Sequence, residues 1–311
     1  MNSSEINRYK RLIESSNVYD VALITPITKA NQLSKTLKNE ILLKREDLQP
    51  IFSFKVRGAY NKLAKLKQNG LTGPVIAASA GNHAQGVSYG AKNLGIKAYI
   101  VMPITTPSIK VDSVKNYGGK VILKGDNFDE AFKYAEELAK KENYTFIHPY
   151  DDRDVIAGQG TVGKELIEQI DNGMDVVFVP VGGGGLLAGL GSYIKSVNPK
   201  IKIIGVEPED AACLRLALDN NKRLSLAEVG LFADGVAVKQ IGKNTFSLIR
   251  QWIDDVITVS VDEMCAAVQD TFQETRTVPE PAGALALAGL KKYCQSRGLK
   301  NKKLVAINSG S

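Results

Sequence analysis

Histidine and cysteine are scarce in this chain. Only His83 and His148 occur among 311 residues, which argues against a histidine-built metal site or a histidine-dependent triad. Cys213, Cys265 and Cys294 lie far apart, so neither a disulfide framework nor a zinc knuckle is expected. A reducing, cytoplasmic setting is the default. No apolar run approaches the length of a membrane span. The opening MNSSEINRYKRLIESS reads as a charged amphipathic helix without the apolar centre of a signal peptide. Arginine clusters with interleaved aromatics are also missing, although the formal net charge is +7. The lysines scatter through KLAKLKQNG, AKKEN and LKKYCQSRGLKNKK as solvated faces and chain ends. That distribution speaks against nucleic acid and leaves room for a small anionic ligand.

What is present is an alternation. Apolar, β-rich runs at 40–44, 74–79, 97–102, 120–124, 175–181, 202–207, 256–259 and 303–308 are separated mostly by segments of helical spacing. In 127–141, Phe128, Ala131, Phe132, Ala135, Leu138 and Ala139 trace one helical face. The pattern predicts an α/β fold of mainly parallel sheets covered by helices on both faces. No repeat or low-complexity linker occurs. HPYDDRD, near residue 150, breaks the pattern and suggests a boundary.

Ligands of such folds bind where strands give way to helices. At DVVFVPVGGGGLLAG a buried strand runs into Gly182–Gly185 and then a helix. Four glycines remove every β-carbon, so backbone amides can converge on an anion at the helix's positive end. A tight turn alone needs one or two. The same loop, with Gly183, Gly185 and Ala188 followed by Glu207, also satisfies a dinucleotide fingerprint, so a nicotinamide-dependent dehydrogenase is an alternative. The second junction is VIAASAGNHAQGVSYGAKNLG: a strand to Ser79, a turn through Ala80 and Gly81, and a helix from Asn82. Asn82 is either an ordinary cap or an amide donor to a ligand oxygen, and His83 a structural or gating residue. The third feature is PIFSFKVRGAY. Ser53 is placed to cap a helix whose face carries Val56, Tyr60 and Leu63, and Lys55 opens that helix. Alone, the stretch is a helix start; its alternative is a lysine withheld from water for covalent chemistry.

One lysine, two anion-receiving helix ends and no metal cluster match the needs of pyridoxal phosphate. KREDLQPIFSFKVRGAY, ASAGNHAQGV, VIAGQGTVGKEL, PVGGGGLLAG and INSG resemble the threonine dehydratase (threonine ammonia-lyase) branch of the fold-type II pyridoxal phosphate enzymes over nearly the whole chain. GLFADGVAVKQIGKNTF and TVPEPAGALALAG are closer to the biosynthetic form. The resemblance implies the tryptophan synthase β-like architecture, with a small domain at 47–148 inserted into a large cofactor-binding domain made of 1–46 and 149–311. It implies Lys55 as covalent tether and catalytic base, with Phe54 beside the cofactor ring. Gly182, Gly183, Gly184, Gly185 and Leu186 would bind the phosphate, Asn82 the 3′-oxygen and Ser309 the pyridine nitrogen. Ser79, Ala80, Gly81, Asn82 and His83 would enclose the substrate carboxylate. The implied reaction is water elimination from L-threonine, and from L-serine, by a dimer or tetramer in the cytoplasm, as the first step of isoleucine biosynthesis.

Serine racemases resemble the chain through the same motifs but carry a serine, serving as second base, where Ala80 stands. They also hold a divalent ion near the segment matching VEPEDAAC. Here Cys213 replaces a carboxylate beside Glu207 and the Ala211 carbonyl, so no metal is expected and Glu207 reads as structural. A non-catalytic sensor that keeps the pocket is a third possibility, opposed by the intact Lys55. Biosynthetic relatives continue into an isoleucine-sensing domain; none lies within these 311 residues, so inhibition by isoleucine is not expected of them.

Overall fold

A computed structural model describes residues 3–171 and 173–311, and they build two sheets. The strands are β1 (Ile27–Lys29), β2 (Glu40–Arg45), β3 (Val75–Ala78), β4 (Ala98–Met102) and β5 (Lys120–Leu123). They continue as β6 (Thr145–Phe146), β7 (Val176–Pro180), β8 (Lys202–Pro208), β9 (Asp255–Val259) and β10 (Lys303–Asn308). The helices are α1 (Ser3–Glu14), α2 (Asn31–Leu37), α3 (Lys55–Gln68), α4 (Asn82–Leu94), α5 (Ser108–Asn116) and α6 (Phe128–Glu142). Then follow α7 (Arg153–Gln169), α8 (Gly185–Val197), α9 (Cys213–Asp219), α10 (Lys243–Ile249), α11 (Val261–Thr275) and α12 (Pro281–Arg297). Among the described residues, no helix is long and apolar enough to cross a membrane.

The larger sheet runs β1-β2-β10-β7-β8-β9 and the smaller β5-β4-β3-β6. Every pairing is parallel except β1 with β2. The apolar character of the strands follows from burial on both faces. In β10, Val305 and Ile307 join a core with α7 and α8, whereas Leu304 and Ala306 join one with α12. The smaller sheet repeats this, with α3, α4 and α5 on one face and α6 on the other.

The glycines of VIAGQGTVGKEL have a packing reason. A β-carbon at Gly158 would lie 2.6 Å from the Arg57 carbonyl, and one at Gly163 would lie 2.7 Å from that of Leu190. Bare backbone on α7 thus admits α3 on one side and α8 on the other. The expected eight strands are found, and β1 and β6, of three and two residues, are additional. On α6 the expected face is narrower: Ala131, Ala135 and Ala139 are buried, while Phe128, the first residue of the helix, is 46% exposed.

Candidate active site

Three parallel strands deliver their carboxyl ends to the candidate site: β10 to Ser309–Ser311, β3 to Ser79–Gly81, and β7 to the glycine loop. The first of these ends is stapled to the chain before α3. Phe54 donates its N–H to the Ser309 carbonyl (3.2 Å), Ser53 bridges antiparallel to Gly310, and Ser311 donates to the Phe52 carbonyl (3.0 Å). Lys55 therefore starts α3 directly beside the end of the central strand.

Ser53 is not the cap of that helix. Phe54 takes the capping position with no side-chain cap bond, and the buried Ser53 hydroxyl has no partner among the described residues. The bridge to Gly310 fixes the backbone at Ser53, so the entry into α3 is set by strand pairing. Val56, Tyr60 and Leu63 are buried as expected. Lys55 is half-buried, with its Nζ 5.3 Å from the centre of the Phe54 ring. Desolvation pulls its pKa down to about 8, against the opposing charge of Glu280.

Three helix starts meet around Gly310. A β-carbon there would fall 2.8 Å from Glu280 Oε1, 3.2 Å from Ser53 Cβ and 3.3 Å from Asn82 Nδ2. Gly310 must therefore be bare for α3, α4 and α12 to converge. Asn82 is the first residue of α4, with Gly81 before it as cap, and its Nδ2 donates to Glu280 Oε1 at 2.8 Å. Ser79 Oγ accepts the N–H of Gly81 at 3.2 Å, drawing the turn tight, and Ala80 is half-buried beside it. His83 is buried with Nε2 3.1 Å from the Ile147 carbonyl. Burial and the charge of Lys55 depress its pKa to about 3, so the ring is neutral and Nε2–H donates to that carbonyl. Ser309 is buried and donates its hydroxyl to the Ala282 carbonyl at 3.2 Å.

The glycine loop has its own walls. A β-carbon at Gly183 would strike the Tyr150 ring, one at Gly182 would lie 3.0 Å from the Val236 backbone, and one at Gly185 3.1 Å from Tyr150. Gly184 sits at φ +89°, the left-handed region, and a β-carbon there would lie 2.8 Å from Ile241. Packing thus requires all four glycines, and their number alone is not the sign of a ligand that the sequence suggested. The sign is in the amides. Among the described residues, the N–H groups of Gly182, Gly183 and Gly184 find no acceptor, and they precede the amino end of α8. The carbonyls are fixed instead: that of Gly183 accepts Thr245 Oγ1 at 2.8 Å and the Gly242 N–H at 3.3 Å. Asp151 accepts the N–H groups of Lys243, Asn244 and Thr245, which holds α10 against the loop.

Glu207 is spent on structure. Its oxygens accept the N–H groups of Leu214 (2.7 Å) and Arg215 (2.8 Å), and burial pushes its pKa up to about 7. The carboxylate is fully buried and turned onto the backbone at the head of α9, so it is not open to a dinucleotide ribose and that fingerprint lacks its acidic partner. Glu280, Tyr150 and Thr245 escaped the sequence reading. Glu280 lies inside TVPEPAGALALAG, where nothing in the local pattern marks it out, and Tyr150 lies inside the boundary segment HPYDDRD.

A family model described as pyridoxal-phosphate dependent enzyme matches residues 19–310. The chain is 55% identical over 303 residues to the biosynthetic, chloroplastic threonine dehydratase 1 of Solanum lycopersicum, covering 97% of this chain and 50% of that protein. Among solved structures, the processed form of threonine deaminase isoform 2 from Solanum lycopersicum matches with a TM-score of 0.97 and 46% identity, over 100% of this chain and 90% of that one. Maize serine racemase matches with a TM-score of 0.91 and 30% identity, over 97% and 92%. The chain spans about half to three-fifths of the length of the curated relatives it matches.

Proposed function

Because the chain belongs to the pyridoxal-phosphate dependent enzymes, we propose that it deaminates L-threonine, and more slowly L-serine, by α,β-elimination of water. The products are 2-oxobutanoate, or pyruvate from serine, and ammonia. We place the reaction at the start of isoleucine biosynthesis, in the cytoplasm, in a homo-oligomer of two or four copies. The observation that carries the reading is Lys55, a desolvated lysine at a helix start, stapled to the strand end that bears Ser309. The four-stranded sheet over 75–146 and the six-stranded sheet drawn from both flanks support a small domain at 47–148 within a large one of 1–46 and 149–311.

The residues fit the cofactor. The amides of Gly182–Gly184, which find no acceptor among the described residues, with Gly185 and Leu186 in the first turn of α8, suit a phosphate. Lys55 suits the aldehyde, with Phe54 flanking. Asn82 keeps a second Nδ2 hydrogen for the 3′-oxygen after bonding Glu280. Ser309 has a single hydroxyl hydrogen, which goes either to Ala282 or to the pyridine nitrogen. In neither case does it protonate the ring as a carboxylic acid would, which favours loss of a β-group over transamination. The turn Ser79, Ala80, Gly81, Asn82 and His83 offers amides at the head of α4 to the substrate carboxylate.

Bound pyridoxal phosphate would supply an electron sink that makes the substrate's α-hydrogen acidic. Lys55 takes that proton at Nζ. At a pKa of about 8 roughly a tenth of the amine is neutral at pH 7, about three hundredfold more than for an ordinary lysine. Lys55 then returns the proton to the β-hydroxyl, which leaves as water. His83, neutral and committed to Ile147, walls the site without competing for the proton.

Racemisation needs a second base, and Ala80 has nothing to ionise. Dehydrogenation needs an accessible acidic group for the ribose, and Glu207 is fully buried on the backbone of α9. The test is to incubate the purified chain and pyridoxal phosphate with L-threonine and L-serine and measure the 2-oxo acids formed. Both should be deaminated, threonine faster. Cofactor binding without turnover, or nicotinamide-dependent oxidation instead, would contradict the reading.

A further inference from the structure

Glu280 stands at the head of α12 with its backbone N–H on the Gly310 carbonyl (3.2 Å), so its position is fixed by the strand end that also fixes Lys55. Its Oε1 accepts from Asn82, while among the described residues Oε2 has no protein partner. No lysine or arginine forms an ion pair with it among the described residues. The charged groups around it are Lys55 from α3, Lys110 from α5 and Asp234 from the turn before Val236. Asn82 comes from α4, and the strand end contributes only backbone at Gly310. Lys110 is itself paired with Asp234. Desolvation, with the charge of Asp234, raises the pKa of Glu280 above the usual carboxylate range, and Asn82, Lys55 and Lys110 offset only part of that rise. Viewed from the lysine, Glu280 is the one charge that favours its protonated form.

We propose that Glu280 is a positioning residue of this site, orienting the Asn82 amide and steadying Lys55 while that amine carries a proton. The proposal rests on the reading of Lys55 as tether and base. An acceptor at Oε1 requires Nδ2, not Oδ1, of Asn82 to face it. The second Nδ2 hydrogen is then directed away from Glu280, and an amide free to flip would lose that direction. When Lys55 has taken the substrate's proton, the half-buried ammonium needs an opposite charge nearby, and Glu280 supplies it.

The test uses the holoenzyme with Glu280→Gln, Glu280→Ala, Asn82→Ala and the Glu280→Ala/Asn82→Ala pair. The first readout is the pyridoxal phosphate dissociation constant. Each alanine variant should bind about tenfold more weakly. The pair should be no more than about threefold worse than Asn82→Ala alone, because one residue acts through the other. The second readout is the acid limb of the kcat–pH profile. Glu280→Gln should move it down by about one pH unit, since loss of the carboxylate makes Lys55 easier to deprotonate. Glu280→Asp should restore part of that shift. An additive cycle or an unmoved acid limb would overturn the proposal. If Glu280→Ala fails to fold, the near-isosteric Glu280→Gln profile still decides it. A parent chain that binds the cofactor without turning over threonine would instead sink the functional reading, and the affinity cycle would still judge Glu280.

Discussion

At the scale of single residues, the buried Lys44 is held against Glu165 at 2.6 Å, whereas Lys55 stands apart by being desolvated without an ion-pair partner among the described residues. Its pKa near 8 makes a specific demand on cofactor uptake, because only the neutral amine attacks an aldehyde. The rate at which the cofactor-free chain takes up pyridoxal phosphate should rise with pH, reach half its maximum near pH 8 and then level off. A rate still climbing steeply toward pH 10 would mean an ordinary, solvated lysine. The sequence exposed Lys55, Asn82 and the glycine loop because motif and junction coincide there. It hid Glu280, whose importance depends on α12 starting beside a strand end 28 residues later. It also misdirected the reading of Ser53: serine before a helix usually caps it, but tertiary pairing with Gly310 took precedence over that local preference.

Elements hold these residues in place, and α3 is held hardest. Arg57, one half-turn after Lys55 and fully buried, donates to Glu46 (2.7 Å) and lies in a second ion pair with Glu165 of α7. Lys44 of β2 completes the group at 2.6 Å from Glu165. Two cations and two carboxylates balance without solvent, so removal of one strands its partner. Arg57→Met should destabilise the chain by about 3–5 kcal/mol, read as a loss of roughly 6 °C or more in Tm. A change below ~2 °C would show that the quartet does not anchor the helix. The strands of both sheets were legible because burial on two faces leaves nearly continuous apolar runs. Strands β1 and β6 were not, since two or three residues carry no period to detect.

For the whole molecule, the two sheets are joined by the deep contact of α3 with α7 and by two surface ion pairs. Lys110 of α5 reaches Asp234, and Lys239 reaches Asp129 of α6 at 2.9 Å. All four side chains are exposed, so Lys110→Ala with Lys239→Ala should cost about 1 kcal/mol or less, far below the single buried arginine. Equal losses from the two variants, compared by thermal melting, would mean that the surface rather than the buried quartet joins the two halves. Alternation of strands and helices made the α/β class readable. The convergence of three strand ends on one site was not, because it depends on β10, the last strand in the chain, lying between β2 and β7.

The account depends most on Lys55 being the cofactor's covalent anchor. The most direct measurement is to reduce the cofactor-loaded chain with borohydride, digest it and weigh the peptides. The cofactor's added mass should fall on Lys55 alone, with none after Lys55→Ala. Mass on another lysine, or undiminished labelling of the variant, would contradict the account.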